Sequence, residues 1–216
     1  MMTPDYGKTF ALWRGGAAGS WDDYTHHAFV QGLGDGTLPR QSFLNYLIQD
    51  YVFLVHFSRA WSLAIVKSET LEEMKVCAGT VNALVNHEMS LHVKTCAEAG
   101  INETTLFDAT EAVENIAYTR YVMDAGMQGD FLDMMAALAP CVMGYGEIGL
   151  RLAAGQTKDT PYTDWIATYA DPEYQSVCKN VGAMIDSAVV RRIGDLSKSP
   201  RAAILQNRFT TATRLE

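Results

Sequence analysis

Asp50 is an acidic residue in an otherwise apolar helical pattern. Phe43, Tyr46 and Leu47 lead to it in steps of three and four residues, and Leu54 continues the pattern. The spacing predicts that Asp50 lies on the buried face of a helix, where a carboxylate is costly without partners. Asp50 is therefore either a carboxylate that binds or reacts with a ligand, or a hydrogen-bonded structural aspartate that ties helices together.

A cysteine and a tyrosine share a second apolar stripe. The stripe steps by three and four residues through Phe131, Met134, Leu138, Cys141, Tyr145, Ile148 and Leu152. Cys141 and Tyr145 are one turn apart, and Pro140 removes a backbone donor and predicts a helix kink beside them. The pair is either a nucleophilic thiol beside a hydrogen-bonding ring, or a core cysteine packed against a core tyrosine.

Glu216 repeats this pattern at the end of the sequence. Leu205, Phe209, Ala212 and Glu216 step by four, three and four residues, so the glutamate falls on a core-facing stripe. A terminal glutamate is usually frayed and solvated, and Leu-Glu at this position can also be a cloning scar. A functional carboxylate competes with both of these interpretations.

The histidines argue against a metal site. Glu88 and His92 are four residues apart and form HExxxH, which lacks the spacing of the zinc-protease motif HExxH. Such a pair could supply half of a di-iron site in a helical bundle. All five histidines (His26, His27, His56, His87 and His92) precede the later helices, which offer no second histidine ligand. We predict no metal, and a core His92 bonded to Glu88 or to a tyrosine.

Thiols and aromatic rings indicate the kind of ligand. Cys77, Cys96, Cys141 and Cys178 show no CxxC spacing and are predicted to be reduced thiols. Tyrosines at 118, 121, 162 and 169, with Trp165, supply rings for stacking and hydroxyls for hydrogen bonds. A pocket with one thiol, two carboxylates and several tyrosines suits a small, flat, nitrogen-rich ring. The sequence has no Walker or Rossmann phosphate loop.

The composition is that of a globular chain. Of 216 residues, 48% are hydrophobic and 19% charged, which provides for a sizeable core. A formal charge of -8 disfavours broad nucleic-acid binding. We find no apolar run of about 18 residues that predicts a membrane span. The N-terminal residues show no export signal, so we expect a cytoplasmic protein.

These residues need helices to position them. Helical spacing recurs along the chain and no stretch alternates convincingly as a strand, which predicts one all-α domain over residues 1–216. The predicted helices cover 39–68, 70–98, 110–125, 130–155, 161–170, 173–194 and 201–216. The second carries an apolar stripe of Met74, Ala78, Val81, Val85 and Leu91. The segment 32–39, GLGDGTLP, is predicted to be a tight loop.

Four motifs together resemble the TenA / thiaminase II family. They are FVQGLGDGTLP, FLNYLIQDYVFL, ALAPCVMGYGEIG and YTDWIATYA, and the resemblance extends from Trp13 to the end of the sequence. It implies an all-helical, haem-oxygenase-like bundle in its cysteine-containing branch. It also implies an aminopyrimidine aminohydrolase of thiamin salvage, with weak cleavage of thiamin itself, no cofactor and a homotetrameric assembly.

The resemblance also implies roles for particular residues. Cys141 corresponds to the nucleophile, Asp50 to the aspartate that orients the pyrimidine, and Glu216 to the catalytic glutamate. Tyr118, Tyr145 and Tyr169 correspond to pocket tyrosines. Phe53 stands where the family often has a tyrosine, and the sequence ends at Glu216 where the family continues with an aromatic Phe-Trp stretch. We expect Asp50, Cys141 and Tyr145 to line one enclosed pocket.

Three functions remain open at this point. The first is hydrolysis of an aminomethylpyrimidine by cysteine catalysis. The second is a pyrimidine-binding or regulatory protein without activity, which Phe53 and the missing aromatic stretch make conceivable. The third is a metal-dependent oxygenase on the same fold, which the distribution of histidines disfavours.

Overall fold

The computed structural model describes residues 4–156 and 158–216, apart from the side chains of residues 87 and 91. The described part is α-helical and contains no strand. The helices are α1 (Lys8–Gly16), α2 (Ala18–Thr25), α3 (Ala28–Asp35), α4 (Arg40–Lys67), α5 (Leu71–Ala83), α6 (Met89–Glu98), α7 (Glu103–Phe107), α8 (Val113–Gln128), α9 (Phe131–Gly155), α10 (Thr163–Ala170), α11 (Pro172–Arg192) and α12 (Arg201–Leu215). A π-helical turn (Leu84–Glu88) joins α5 to α6, and a 3-10 turn (Leu196–Lys198) precedes α12. The prediction of an all-α chain is confirmed.

Two compact units make up the chain, and each is described by itself. The first comprises residues 1–38 and 132–216, and the second comprises residues 39–131. The predicted single domain over 1–216 stays a prediction.

Aromatic packing builds the core of the first unit. Phe209 of α12 stacks on Trp21 of α2 with ring centroids 5.7 Å apart, and Phe10 of α1 meets both rings edge-on. Asp186 of α11 accepts hydrogen bonds from the backbone N–H groups of Lys8 and Thr9 at 2.8 Å. This carboxylate satisfies donors that the first turn of α1 would otherwise leave unpaired, and it fixes the start of that helix.

Helix α9 is the central helix of the first unit. It is long and apolar enough to cross a membrane by length and composition alone, but 94% of its most apolar window is buried inside the protein. A buried core helix passes the same test of length and composition, so this feature is weak support for a membrane span. Pro140 lies inside α9, which continues as one α-helix on both sides of it.

Buried ion pairs attach neighbouring helices to α9. Asp133 accepts from Arg201 at 2.7 Å and from Arg208 at 2.5 Å, both on the α12 segment. Glu147 forms a bidentate pair with Arg14 of α1 at 2.6 and 2.8 Å. Because each buried carboxylate has a charged partner, the desolvation that burial imposes is offset.

Helix α4 organises the second unit. It packs against α5, α6, α7, α8 and the π-helical turn. Its buried face includes Phe43, Leu47, Asp50, Leu54, Phe57 and Trp61. Thr70 is the N-cap of α5: its hydroxyl accepts from the backbone N–H of Glu73, while the Glu73 carboxylate accepts from the backbone N–H of Glu69. This reciprocal capping fixes where the helix starts.

The predicted apolar face of α5 is wrong. Met74 and Val85 of that stripe are exposed, and the buried side chains of α5 are Glu73, Cys77 and Thr80. The buried face is thus lined by a capping glutamate, a thiol and a hydroxyl. A search for apolar residues at helical spacing does not detect such a face. The π-helical turn then shifts the register before α6. Leu91, the last residue of the predicted stripe, has its side chain outside the described part.

The predicted loop over residues 32–39 is wrong in its first half. Helix α3 continues to Asp35, and the chain turns only at Gly36, which has a φ of 80°. A Cβ at Gly32 would lie 3.1 Å from the backbone of Leu38, so this glycine serves close packing and not turning. The predicted end of the third helix at Gly126 is also early, because α8 continues to Gln128.

Candidate functional site

Cys141 differs from the other cysteines in its accessibility. Its side chain keeps 8% of its surface exposed, whereas Cys77, Cys96 and Cys178 are 0% exposed. Burial raises the pKa of the Cys77 and Cys178 thiols to about 12 and also raises the pKa of Cys96. Since the thiolate is the nucleophilic form, these three thiols are poor candidates for chemistry. Of these four buried cysteines, Cys141 is the one that is not completely buried.

Four aromatic rings form a cluster in the first unit that includes the residue one helical turn after Cys141. The cluster comprises Tyr145, Trp165, Tyr169 and Tyr174. Tyr145, one turn after Cys141, lies 4.8 Å from Tyr169 and 5.8 Å from Trp165 between ring centroids. The Tyr174 hydroxyl donates to the Val142 carbonyl at 3.1 Å. The structure thus places the predicted Tyr145 and Tyr169 in contact, with Cys141 one helical turn before Tyr145. Tyrosine rings and hydroxyls of this kind suit a flat heterocycle.

Two glycines on α9 allow neighbouring helices to pack closely against it. A Cβ at Gly149 would lie 2.5–2.7 Å from the backbone and Cβ of Tyr169, so α10 reaches α9 only because that position carries no side chain. Gly144 does the same for Tyr24 of α2, whose ring and hydroxyl would lie 2.3–2.7 Å from a Cβ there.

Tyr24 connects Gly144 to Glu216. Its hydroxyl donates to Oε1 of Glu216 at 3.2 Å. The glutamate is half-buried, so its interpretation as a fully frayed terminal residue is wrong. The sequence pattern placed Glu216 on the core-facing stripe of α12 but did not identify Tyr24, which is 192 residues away along the chain.

Close packing at Gly144 is testable through stability. We expect Gly144→Ala to lower the free energy of unfolding by about 1–3 kcal/mol, because the new methyl group must displace the Tyr24 ring. Gly155→Ala on the same helix is the matched control, since no other described atom lies within 4 Å of its Cβ position. Urea denaturation measures both variants. Equal stabilities for the two would contradict the packing described at Gly144.

Asp50 has two hydrogen-bond partners in the second unit. The His92 ring lies with Nε2 2.6 Å from Oδ2 of Asp50, and the Tyr46 hydroxyl donates to the same oxygen at 3.0 Å. Nδ1 of His92 lies 2.8 Å from the Glu88 carbonyl oxygen. Asp50 is buried, as the sequence pattern predicted. His92 was predicted to bond Glu88 or a tyrosine. The structure gives it the Glu88 backbone carbonyl and, in addition, Asp50.

Phe53 belongs to a stack of rings one turn beyond Asp50. Its ring lies 4.9 Å from Phe57 and 5.3 Å from Tyr118 between centroids, with interplanar angles of 26° and 18°. The predicted pocket residues Phe53 and Tyr118 therefore contact each other. Asp50, Phe53 and Tyr118 lie in the second unit and Cys141, Tyr145, Tyr169 and Glu216 in the first. The expected common pocket of Asp50, Cys141 and Tyr145 stays a prediction.

The last feature of the site concerns clusters of side chains that could bind a metal ion. Among the described residues, no group of three or more histidine, cysteine, aspartate or glutamate side chains could hold a metal ion. The side chain of His87 lies outside the described part.

The chain is similar to known proteins over nearly its whole length. The sequence model of the TENA/THI-4/PQQC family matches residues 17–216. The chain belongs to this family. A crystal structure described as a TenA family transcription regulator from Silicibacter sp. TM1040 is 57% identical, with a TM-score of 0.96, and the match covers 99% of this chain and 95% of that one.

Two curated members of the family are also similar over most of their length. A Halalkalibacterium halodurans protein named aminopyrimidine aminohydrolase is 32% identical, over 91% of this chain and 86% of that protein. A Haemophilus influenzae protein named only as uncharacterized is 37% identical, over 91% of this chain and 89% of that protein. The predicted family membership is confirmed.

Proposed function

We propose that this protein is an aminopyrimidine aminohydrolase of the cysteine-containing branch of the TENA/THI-4/PQQC family. Its substrate would be 4-amino-5-aminomethyl-2-methylpyrimidine, with thiamin as a weaker substrate, and its product hydroxymethylpyrimidine. The observation that carries the proposal is Cys141, the least buried of the four cysteines, one helical turn before Tyr145 of the aromatic cluster. The Halalkalibacterium halodurans relative, which carries that activity in its name, supports it.

Cys141 acts as the nucleophile in the proposed reaction. Its thiolate adds to C6 of the pyrimidine ring, which breaks the aromaticity of the ring and places electron density on N1. The exocyclic methylene carbon, whose amino group is protonated at neutral pH, then expels ammonia as the C–N bond breaks. A cysteine suits this step because it is the side chain that forms a good nucleophile at neutral pH.

Glu216 acts as the general acid. Charge develops on ring N1 when sulfur adds to C6, and a carboxylic acid at that position supplies a proton. The hydrogen bond from the Tyr24 hydroxyl holds Oε1 of Glu216 and helps to position this carboxyl group.

Asp50 orients the ring by accepting a hydrogen bond from the exocyclic amino group. Both protein donors reach Oδ2, so Oδ1 keeps its capacity as an acceptor. Water then adds to the methylene carbon, and the thiolate departs from C6 as N1 returns its proton. The balance is aminomethylpyrimidine plus water to hydroxymethylpyrimidine plus ammonia, and no step requires a metal or an organic cofactor.

Phe53 provides a test of substrate preference. We expect Phe53→Tyr to raise the turnover of the aminopyrimidine by about two- to twelve-fold, because the added hydroxyl supplies a neutral hydrogen bond, which contributes about 0.5–1.5 kcal/mol. The stack with Phe57 and Tyr118 keeps the ring in place. Phe57→Tyr is the matched control for adding a buried hydroxyl. A Phe53→Tyr enzyme slowed several-fold more than this control would contradict ordinary family chemistry at position 53.

The direct test of the proposed function is a product assay. Purified protein is incubated with the aminopyrimidine and, in parallel, with thiamin, and hydroxymethylpyrimidine is quantified by liquid chromatography. We expect faster release from the aminopyrimidine. No release from either compound would reject the proposal.

A regulatory function is the second candidate, because the Silicibacter structure is described as a transcription regulator. The formal charge of -8 opposes binding to the DNA backbone. The product assay separates the two functions, since a regulator that only binds the pyrimidine would give no turnover.

We also propose that the chain folds as one domain and acts in the cytoplasm as a homotetramer.

Exposed apolar residues on α8 support the assembly of several copies. They are Val113, Ile116 and Met127. Sedimentation velocity tests the tetramer, and a single calorimetric transition would support one cooperative domain. A monomer at micromolar concentration would reject the assembly.

A further inference from the structure

The Asp50–His92 pair is more deeply buried than a surface ion pair. The His92 side chain is 1% exposed and that of Asp50 is 9% exposed. Oδ2 of Asp50 accepts from His92 and from Tyr46, whereas no residue that the structure describes donates to Oδ1. The carboxylate is thus held on one side by the protein and keeps an acceptor on the other.

Hydrogen-bond partners indicate the protonation of His92. The Glu88 carbonyl can only accept, so Nδ1 carries a proton. Nε2 lies 2.6 Å from Oδ2 of Asp50, and donation from Nε2 as well as Nδ1 makes His92 an imidazolium. Burial opposes this charge, but the hydrogen bond and charge of Asp50 outweigh it and raise the pKa of His92 to about 9.

The backbone around His92 is specialised for this contact. The π-helical turn Leu84–Glu88 immediately precedes α6 and ends at the residue whose carbonyl accepts from His92. Turns of this type are rare and occur frequently at functional sites. The titratable groups that face His92 are Asp50 and Tyr46 of α4 and Glu88 of the turn. Glu103 of α7 is near Tyr51 instead, where burial and the charge of Glu103 raise the pKa of the tyrosine.

We propose that His92 is a positioning residue for the pyrimidine: held by the Glu88 carbonyl, it donates to Oδ2 of Asp50 and fixes this carboxylate, so that Oδ1 accepts from the amino group of the substrate. This inference rests on the proposed function and adds to it a residue for which no role in the reaction has been assigned above. A purely structural His92 would tie α6 to α4 without influencing how the pyrimidine binds.

Two substitutions at His92 separate these roles. His92→Leu removes both hydrogen bonds, whereas His92→Gln keeps a neutral N–H donor for Asp50. We expect His92→Leu to weaken binding of hydroxymethylpyrimidine by about 10- to 150-fold, the effect of losing a hydrogen bond to a charged group. His92→Gln should restore part of this affinity, because a neutral donor is roughly half as strong as a charged one. The KM for the aminopyrimidine should rise in the same order.

His56→Gln is the matched control. His56 also lies beside a carboxylate, Glu111 at 3.2 Å, in the second unit, but it has no place in the proposed reaction. We expect this variant to keep the affinity and KM of the wild type. Circular dichroism and thermal unfolding verify the fold of each variant. If His92→Leu does not fold, the near-isosteric His92→Gln alone decides, and an unchanged affinity and KM in it would overturn the proposal.

Nuclear magnetic resonance reports on the pair without turnover. In protein labelled with ¹³C at histidine Cε1, we expect His92 to stay protonated past pH 8 and Asp50→Asn to lower its pKa by more than one unit. A His92 that titrates near 6.5 in both proteins would overturn the imidazolium. A wild type without turnover would instead reject the proposed function. In that case, hydroxymethylpyrimidine binding that is equal in His92→Leu and wild type would overturn the positioning role as well.

Discussion

Replacing Cys141 by serine is expected to lower turnover of the aminopyrimidine by three or more orders of magnitude, on the scale seen when a catalytic nucleophile is removed. A neutral hydroxyl is a poor nucleophile without an adjacent base, whereas the change in size is small. The variant should therefore fold and bind hydroxymethylpyrimidine with nearly unchanged affinity. Steady-state kinetics and isothermal titration calorimetry measure the two effects separately.

Cys96→Ser is the matched control for this substitution. Cys96 is fully buried in α6, and burial raises the pKa of its thiol. We expect the folded fraction of this variant to turn over the substrate at nearly the wild-type rate. If Cys141→Ser kept more than about a tenth of the activity, the change in barrier would be below about 1.4 kcal/mol and the covalent mechanism would be wrong.

Glu216→Gln is expected to lower kcat by about 10²- to 10⁴-fold, the usual contribution of a general acid. The glutamine amide oxygen can still accept from Tyr24, so the side chain should keep its place while losing its acidic proton. Tyr24→Phe, which removes only a positioning hydrogen bond, should have a smaller effect of about two- to twelve-fold.

Glu98→Gln serves as the control for Glu216→Gln. Glu98 is an exposed glutamate at the end of α6, and its replacement should leave kcat unchanged. A Glu216→Gln enzyme within a few-fold of this control would contradict the role of Glu216 as the acid.

The long helices could be predicted from local spacing because their burial is periodic. Asp50 is an example, since its position on the apolar face of α4 followed from its neighbours and the structure confirms that it is buried. The short helices α1, α2, α3 and α7 were not predicted. They are 9 residues or fewer in length, too short for a periodic pattern to stand out.

Partners between helices could not be predicted from the sequence. His92 lies 42 residues from Asp50, and Tyr24 lies 192 residues from Glu216. Helical spacing predicts which face of a helix is buried but not which helix it packs against. The two contacts that constrain the candidate carboxylates therefore emerged only from the structure. One sequence signal was available: HExxxH placed Glu88 and His92 on successive turns, and the backbone carbonyl of Glu88 lies within hydrogen-bond distance of His92.

The most direct measurement is turnover of 4-amino-5-aminomethyl-2-methylpyrimidine in water enriched in ¹⁸O, analysed by mass spectrometry. We expect ammonia and hydroxymethylpyrimidine with a single ¹⁸O in the new hydroxyl group from the wild type, and almost none from Cys141→Ser. No hydroxymethylpyrimidine from the wild type, or equal ¹⁸O-labelled product from both proteins, would contradict covalent catalysis by Cys141.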